Sequence, residues 1–256
     1  MHYSDNKFPW GVFAGELHER DHTLPLFLPA QNGGFTLYFD NESEAEASRF
    51  IENVALHLAS MLPQGLVKNV VFDFGYKKRF PDLASLKAAN LYDIALNPEE
   101  AQRHFAQLEK VSLYRHHELL SPEVTTISDY NSLHEKNPEP YCLLLLNLNN
   151  FPANIISPEK INAFFASAFE VGFYTIAFGS QTLAENQSET IKILTKRFPP
   201  LQFEHNKLHF GKGYPVLQKV TELHPFQHLN TDSATLRDSL LNRVEEAQTN
   251  RLQEVL

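Results

Sequence analysis

Apolar residues along the chain switch between two periods, and the switch predicts the elements. Gly11 to Gly15 and Leu24 to Leu28 are short apolar segments on either side of the charged stretch Glu16 to His22, as in a hairpin or edge pair. The turn signal Gln31-Asn32-Gly33-Gly34 precedes Phe35-Thr36-Leu37-Tyr38-Phe39, a run of strand formers. After Asp40-Asn41-Glu42-Ser43, with acids suited to a first helical turn, Phe50, Ile51, Val54, Leu58 and Met61 recur at helical spacing up to Pro63. Strand and helix then alternate. Leu66 to Phe72 is a strand, Pro98 to Leu120 a helix through Ala101, Phe105, Leu108, Val111 and Leu119, and Tyr141 to Leu146 a continuous apolar strand covered on both faces. Pro158 to Val171 is a helix through Ile161, Phe164, Phe165 and Phe169, and Gly172 to Phe178 the next strand. This alternation predicts an α/β fold with a mainly parallel, doubly wound sheet. Leu201 to Glu204 and Leu208 to Phe210 flank His205-Asn206-Lys207 as a terminal hairpin, and Pro225 closes the globular part. The tail from Asp232 carries Leu236, Leu240, Val244, Ala247, Leu252 and Val255 as an amphipathic stripe, for self-association or for docking on its own domain.

Composition narrows the class. The chain has 256 residues, enough for one large core. Its 31 acidic and 22 basic side chains leave a formal charge of −9, which argues against a broad phosphate-tracking surface. The single cysteine, Cys142, excludes an internal disulfide and a cysteine-based zinc site. The longest apolar run is far too short to cross a bilayer, and the first residues lack a leader pattern. A cytoplasmic protein is the expectation.

In a parallel sheet the ligand crevice lies outside the carboxyl ends of the strands, so the loops after Phe39, Leu146 and Phe178 carry the functional question. A phosphate-cradling loop needs glycines, a lysine and a hydroxyl. The segment Asp40-Asn41-Glu42-Ser43-Glu44-Ala45-Glu46 has neither glycine nor lysine but four carboxylates. Each carboxylate within ~5 to 8 Å of a triphosphate would cost on the order of 1 kcal/mol even in a solvent-like dielectric. After Leu146, where a hydrolase places acids for its metal ion and attacking water, stands Asn147-Leu148-Asn149-Asn150.

In collinear order, these segments resemble the RecA-like motor domain of the FtsK/SpoIIIE translocase family, from about Phe8 to Lys212. The segments that carry the resemblance are Leu24 to Leu28 with Gly34 to Phe39, Val70 to Gly75 with Phe80 to Leu83, and Glu99 to His117. Ile127-Ser128-Asp129-Tyr130-Asn131, Pro140 to Leu146 and Gly172 to Gln181 complete the series. The resemblance implies a RecA-like domain over 1–224, with an N-terminal β extension and a terminal hairpin, and a linker with a helix over 225–256. It puts Ala45 and Glu46 at the positions of the phosphate lysine and its neighbour, Asn147 and Leu148 at those of the Asp-Glu pair, and Gln181 at that of the sensor. The expectation is a pseudo-ATPase with no cofactor and no catalytic residue, acting through a protein partner. That partner is an ATPase subunit or a sibling copy in a DNA-processing, defence or secretion complex. Two alternatives stay open: a nucleotide site of unorthodox design using Lys77, Lys78 and Gln181, and a DNA-binding accessory relying on a partner for fuel.

Other signals have plainer readings. Glu42, Glu44 and Glu46 suit a solvated first helical turn. His18-Glu19-Arg20-Asp21-His22 spells a zinc-protease motif, but that chemistry needs a helix and a third ligand in a window too short for them. His205/His209 and His224/His228 repeat the spacing with less support. Asp73-Phe74-Gly75 lacks the companion motifs of a kinase, and no serine sits in a nucleophile elbow. Lys77-Lys78-Arg79 is the densest basic cluster, a solvated loop or a contact for a partner or nucleic acid.

Overall fold

The computed structural model describes residues 6–254 except 64, 76–77, 152–155, 185–187, 206, 225 and 229–232, with side chains described to 246 apart from that of residue 228. Its centre is a seven-stranded sheet in the order β5-β4-β6-β7-β3-β8-β9. These strands are β3 (Gly34–Phe39), β4 (Val67–Phe72), β5 (Tyr92–Ala95), β6 (Tyr141–Asn147), β7 (Phe173–Ser180), β8 (Pro200–Glu204) and β9 (Lys207–Phe210). All neighbours run parallel except the terminal hairpin β8–β9. The predicted doubly wound α/β fold is therefore present, and every residue of β6 is buried. Side chains alternate between its two faces. Leu143 and Leu145 join the core on one side, Leu144 and Leu146 the core on the other. Close approach of the two central strands requires glycine at position 34. Its φ is +153°, and a Cβ there would lie 2.0 Å from the Thr175 carbonyl oxygen of β7.

One face is covered by α1 (Glu44–Met61), α2 (Pro81–Ser85) and a second, three-stranded sheet. The other is covered by α3 (Pro98–Tyr114), α5 (Pro158–Ser167) and α6 (Glu189–Arg197). The helix α4 (Ile127–Leu133) precedes β6. Its Asn131 accepts from the Glu139 N–H at 2.8 Å and donates to the Glu139 carbonyl at 2.9 Å, which fixes the approach to that strand. Past α3 the chain widens into a π-helical turn, Arg115–Leu119, which brings Arg115 under the amino ends of β6 and β7.

The second sheet has the order β10-β1-β2, from β1 (Gly11–Glu19), β2 (His22–Pro29) and β10 (Phe226–His228). The expected hairpin is there but longer, because Glu16 to Glu19 continue β1 and His22 to Leu24 continue β2 around a turn with Arg20 at φ 52°. The segment expected to be a linker after position 224 instead supplies β10, which pairs with β1; Pro225 itself lies outside the described residues. After α7 (Pro215–Leu223), the tail helix α8 (Ser233–Glu254) docks on its own domain. Leu240 and Val244 are buried, Leu236 and Leu241 pack on the core, and Ser233 and Arg237 bond to Asp82.

Beneath this contact, the α1 residue Glu52 is 3% exposed and accepts the N–H groups of Asp82 at 2.7 Å and Leu83 at 3.0 Å. Burial pushes its carboxyl up to about 7, although the two N–H groups oppose the shift. A carboxyl raised on folding stabilises the protein below its unfolded value near 4.5 and loses that contribution as pH rises through about 7. Stability should fall by on the order of 3 kcal/mol across this window from Glu52 alone. Glu52→Gln keeps an acceptor for both N–H groups and should flatten the slope, which urea melts at pH 5 and pH 8 would measure.

Candidate functional site

The crevice at the carboxyl ends of β3, β4, β6 and β7 is built from the loops singled out above. Between Phe39 and the start of α1 lie only Asp40 to Ser43. Asp40 folds back on this loop: Oδ1 accepts the Ser43 N–H at 2.7 Å and Oδ2 accepts the His205 N–H at 3.0 Å from the β8–β9 turn. The bonds from His205 and Ser43 hold its carboxyl below the usual value.

Next to it, Phe39 pairs with Ser180 on one side and with Phe203 on the other. Gln181, one residue beyond β7, and Glu204, the last residue of β8, therefore flank Asp40, and the Gln181 amide donates to the Glu204 carboxylate across the end of β3. Gln181 is half-buried and committed to this bond rather than turned outward alone.

On the β4 and β6 side the centre is Asp73, 2% exposed. Its Oδ1 accepts from Asn147 Nδ2 at 2.8 Å, Gly75 N at 3.0 Å and Asn150 Nδ2 at 3.2 Å. Its Oδ2 lies 2.9 Å from Arg79 Nε, and a terminal nitrogen of the same guanidinium lies 2.7 Å from Glu44 Oε1. Asn149 ties β6 to β7 by accepting the Ser180 N–H at 2.9 Å. Leu148 does not face the crevice. It is buried in the core on the α3 and α5 face.

The remaining expected site residues scatter. Glu42 and Ala45 are exposed, and Glu46 pairs with Arg49 one turn along α1. Of the basic cluster, Lys78 is exposed and Lys77 lies outside the described residues. Arg79 departs from the solvated or partner-contacting reading of this cluster: it turns inward and pairs with both Glu44 and Asp73. The His18 and His22 motif sits on two paired strands, with Glu19 opposite His22 and His18 Nδ1 3.4 Å from Thr23 Oγ1, so its imidazoles do not share a helix face. Among the described residues no group of three or more His, Cys, Asp or Glu is placed to hold a metal ion. No described helix is long and apolar enough to cross a membrane.

No family model matches the chain, and no curated protein matches its sequence. Solved structures do match its fold. The pCW3 conjugation coupling protein TcpA, in its monomer form with ATPγS, superposes with TM-score 0.61 at 11% identity, over 94% of this chain and 72% of that one. ATPases 2 and 3 of EssC from Geobacillus thermodenitrificans give 0.59 at 13%, over 98% and 50%. ATPases 2 and 3 of Thermomonospora curvata EccC, in complex with a signal sequence peptide, give 0.59 at 14%, over 96% and 47%.

The chain has the RecA-like fold of FtsK-type ATPase domains.

The chain spans half or less of the EccC and EssC chains it matches. In the RecA-like fold the strand order β6-β7-β3 sets Asn147, Gln181 and the Asp40 loop side by side, so the three loops chosen from the sequence do converge. Asp40, Asp73, Glu204 and Asn150 were not singled out as site residues. Asp40 had a signal, an Asx residue ahead of a helix start, whereas Asp73 and Glu204 act through partners brought in by the path of a loop and by the sheet order.

Proposed function

We propose that the chain is a catalytically inactive RecA-like domain of FtsK type, a pseudo-ATPase that works as an interaction or assembly subunit beside a protein partner. The observation that carries this reading is the Asp40 carboxylate bonded to the Ser43 and His205 N–H groups. A phosphate-binding loop of about eight residues leaves its N–H groups free to curl around an anion. Here four residues close the gap, and a carboxylate of the chain already takes backbone donors at its end. An incoming triphosphate would meet this fixed negative charge, and Gln181 is held to Glu204 across the same strand end. The residues do not fit a magnesium nucleotide either. The end of β6 offers the neutral Asn147, already donating to Asp73, and Leu148 is packed in the core.

A protein partner fits the company of the fold. EccC has been solved with a signal sequence peptide, and TcpA is a conjugation coupling protein. The acidic balance of −9 agrees with a protein rather than a nucleic-acid partner. A cytoplasmic location goes with the same reading.

Calorimetric titration with ATP and magnesium is expected to give no binding heat at millimolar nucleotide and no hydrolysis. Micromolar binding that disappears in Lys77→Ala or Lys78→Ala would overturn the proposal in favour of an unorthodox nucleotide site.

A further inference from the structure

The guanidinium of Arg79 occupies an unusual place. Its side chain is 10% exposed, and it lies between carboxylates from opposite sides of the crevice. Asp73 follows β4, Glu44 opens the helix after β3, and β6 and β7 stand between those strands in the sheet. The three hydrogen bonds that described residues donate to Asp73 all go to Oδ1, and among the described residues Arg79 is the group beside Oδ2. Burying a carboxylate this deeply is costly unless it is both hydrogen-bonded and paired with a cation. The Asn150 side-chain oxygen is buried in the same network with no hydrogen-bond partner, a further acceptor, and Arg79 Nε meets Asp73 Oδ2 as an ion pair and not as an aligned hydrogen bond. The inner wall of the crevice therefore demands positive charge, and the chain supplies it from its own loop.

We propose that Arg79 is a resident ligand of the crevice: a guanidinium latch that fills the cation position between Asp73 and Glu44 and holds the crevice shut. The latch deepens the reading of this crevice as closed to nucleotide and rests on it. A planar, permanently charged group with several donors can touch both carboxylates at once, which a lysine ammonium cannot do with the same geometry. Stripped of Arg79, the crevice should accept a small guanidinium and still refuse a phosphate.

The test is chemical rescue read by thermal melting. Arg79→Ala should lower the melting temperature by roughly 10 °C, because Asp73 is left buried with an uncompensated charge. Millimolar methylguanidinium should restore at least half of that loss, while leaving the wild-type chain unchanged, and ATP should restore none of it. The double variant Asp73→Asn/Arg79→Ala should lose less than half as much and should not respond to methylguanidinium. Wild-type stability in Arg79→Ala would overturn the latch, as would a loss that methylguanidinium does not reduce or reduces equally in the double variant. If Arg79→Ala does not fold, a double variant that also fails to fold overturns it too. Stabilisation of the wild-type chain by ATP would instead strike the proposed function, so the two failures are distinguishable.

Discussion

Arg115→Ala is expected to cost about 3 to 5 kcal/mol of folding stability, enough to threaten a domain of ordinary stability. Arg115 is 2% exposed, yet it carries a full charge. It donates to the carbonyls of Val171 at 2.7 Å and Pro140 at 2.6 Å and to the Glu139 carboxylate at 3.2 Å, with its guanidinium 5.7 Å from the centre of the Phe173 ring. Those carbonyls belong to the residues just ahead of β7 and β6, the strands that aim Gln181 and Asn147 at the crevice. Alanine would leave both carbonyls without their donor and open a cavity of several methylenes between them. Arg115→Lys keeps the charge but cannot reach three acceptors in a fixed fork, so it should recover only a minor part of the loss. Urea denaturation of the three proteins would decide this. A midpoint for Arg115→Ala within error of the wild type would show that the strand starts are held by packing alone.

Asn147→Asp, which places an acid at the end of β6, should destabilise the fold by roughly 3 kcal/mol at pH 8 and should not create hydrolysis. Asn147 is 1% exposed and donates to an Asp73 carboxylate that is itself 2% exposed. The substitution removes a donor and sets a second carboxylate against the first. Two such groups cannot both ionise, so one is held protonated well above the ordinary carboxylate range. The folded-state value is then higher than the unfolded one. The variant should approach wild-type stability in acid and lose ground as pH rises through the raised value. Denaturation at pH 5 and pH 8 measures the difference, and equal losses at both would sink the explanation.

The sheet could be read from the sequence because its central strands are buried on both faces. Tyr141 to Leu146 and Phe173 to Phe178 are near-continuous apolar runs between turn signals, and α1 announces itself by Phe50, Ile51, Val54 and Leu58. Short elements escaped this reading. The four-residue strand β5 and the three-residue strand β10 have too few positions for a period to show, and β10 exists only because β1 offers it an edge. The helix α6 had a usable mark in Ser188, whose side chain accepts the Ile191 N–H at its start. The site was legible as a place and not as a set of contacts. Local sequence showed what the Asp40 loop lacks. It could not show that Arg79 turns inward to Asp73 and Glu44, or that Glu204 arrives from the far side of β3, since those meetings depend on the path of a loop and on strand order. Glu52 stayed hidden for a similar reason: it lies within a stretch of α1 buried on all sides, where its neighbours Ile51 and Asn53 are buried too.

Pro25 and Pro29 lie on β2, the outermost strand of the three-stranded sheet. A proline has no N–H to offer, so this rim is a poor template for a fourth strand. Another polypeptide could not easily zip onto it through its main chain. A neighbour meeting this end of the molecule would have to recognise side chains, such as the exposed Trp10 and Leu24, rather than a ladder of amides.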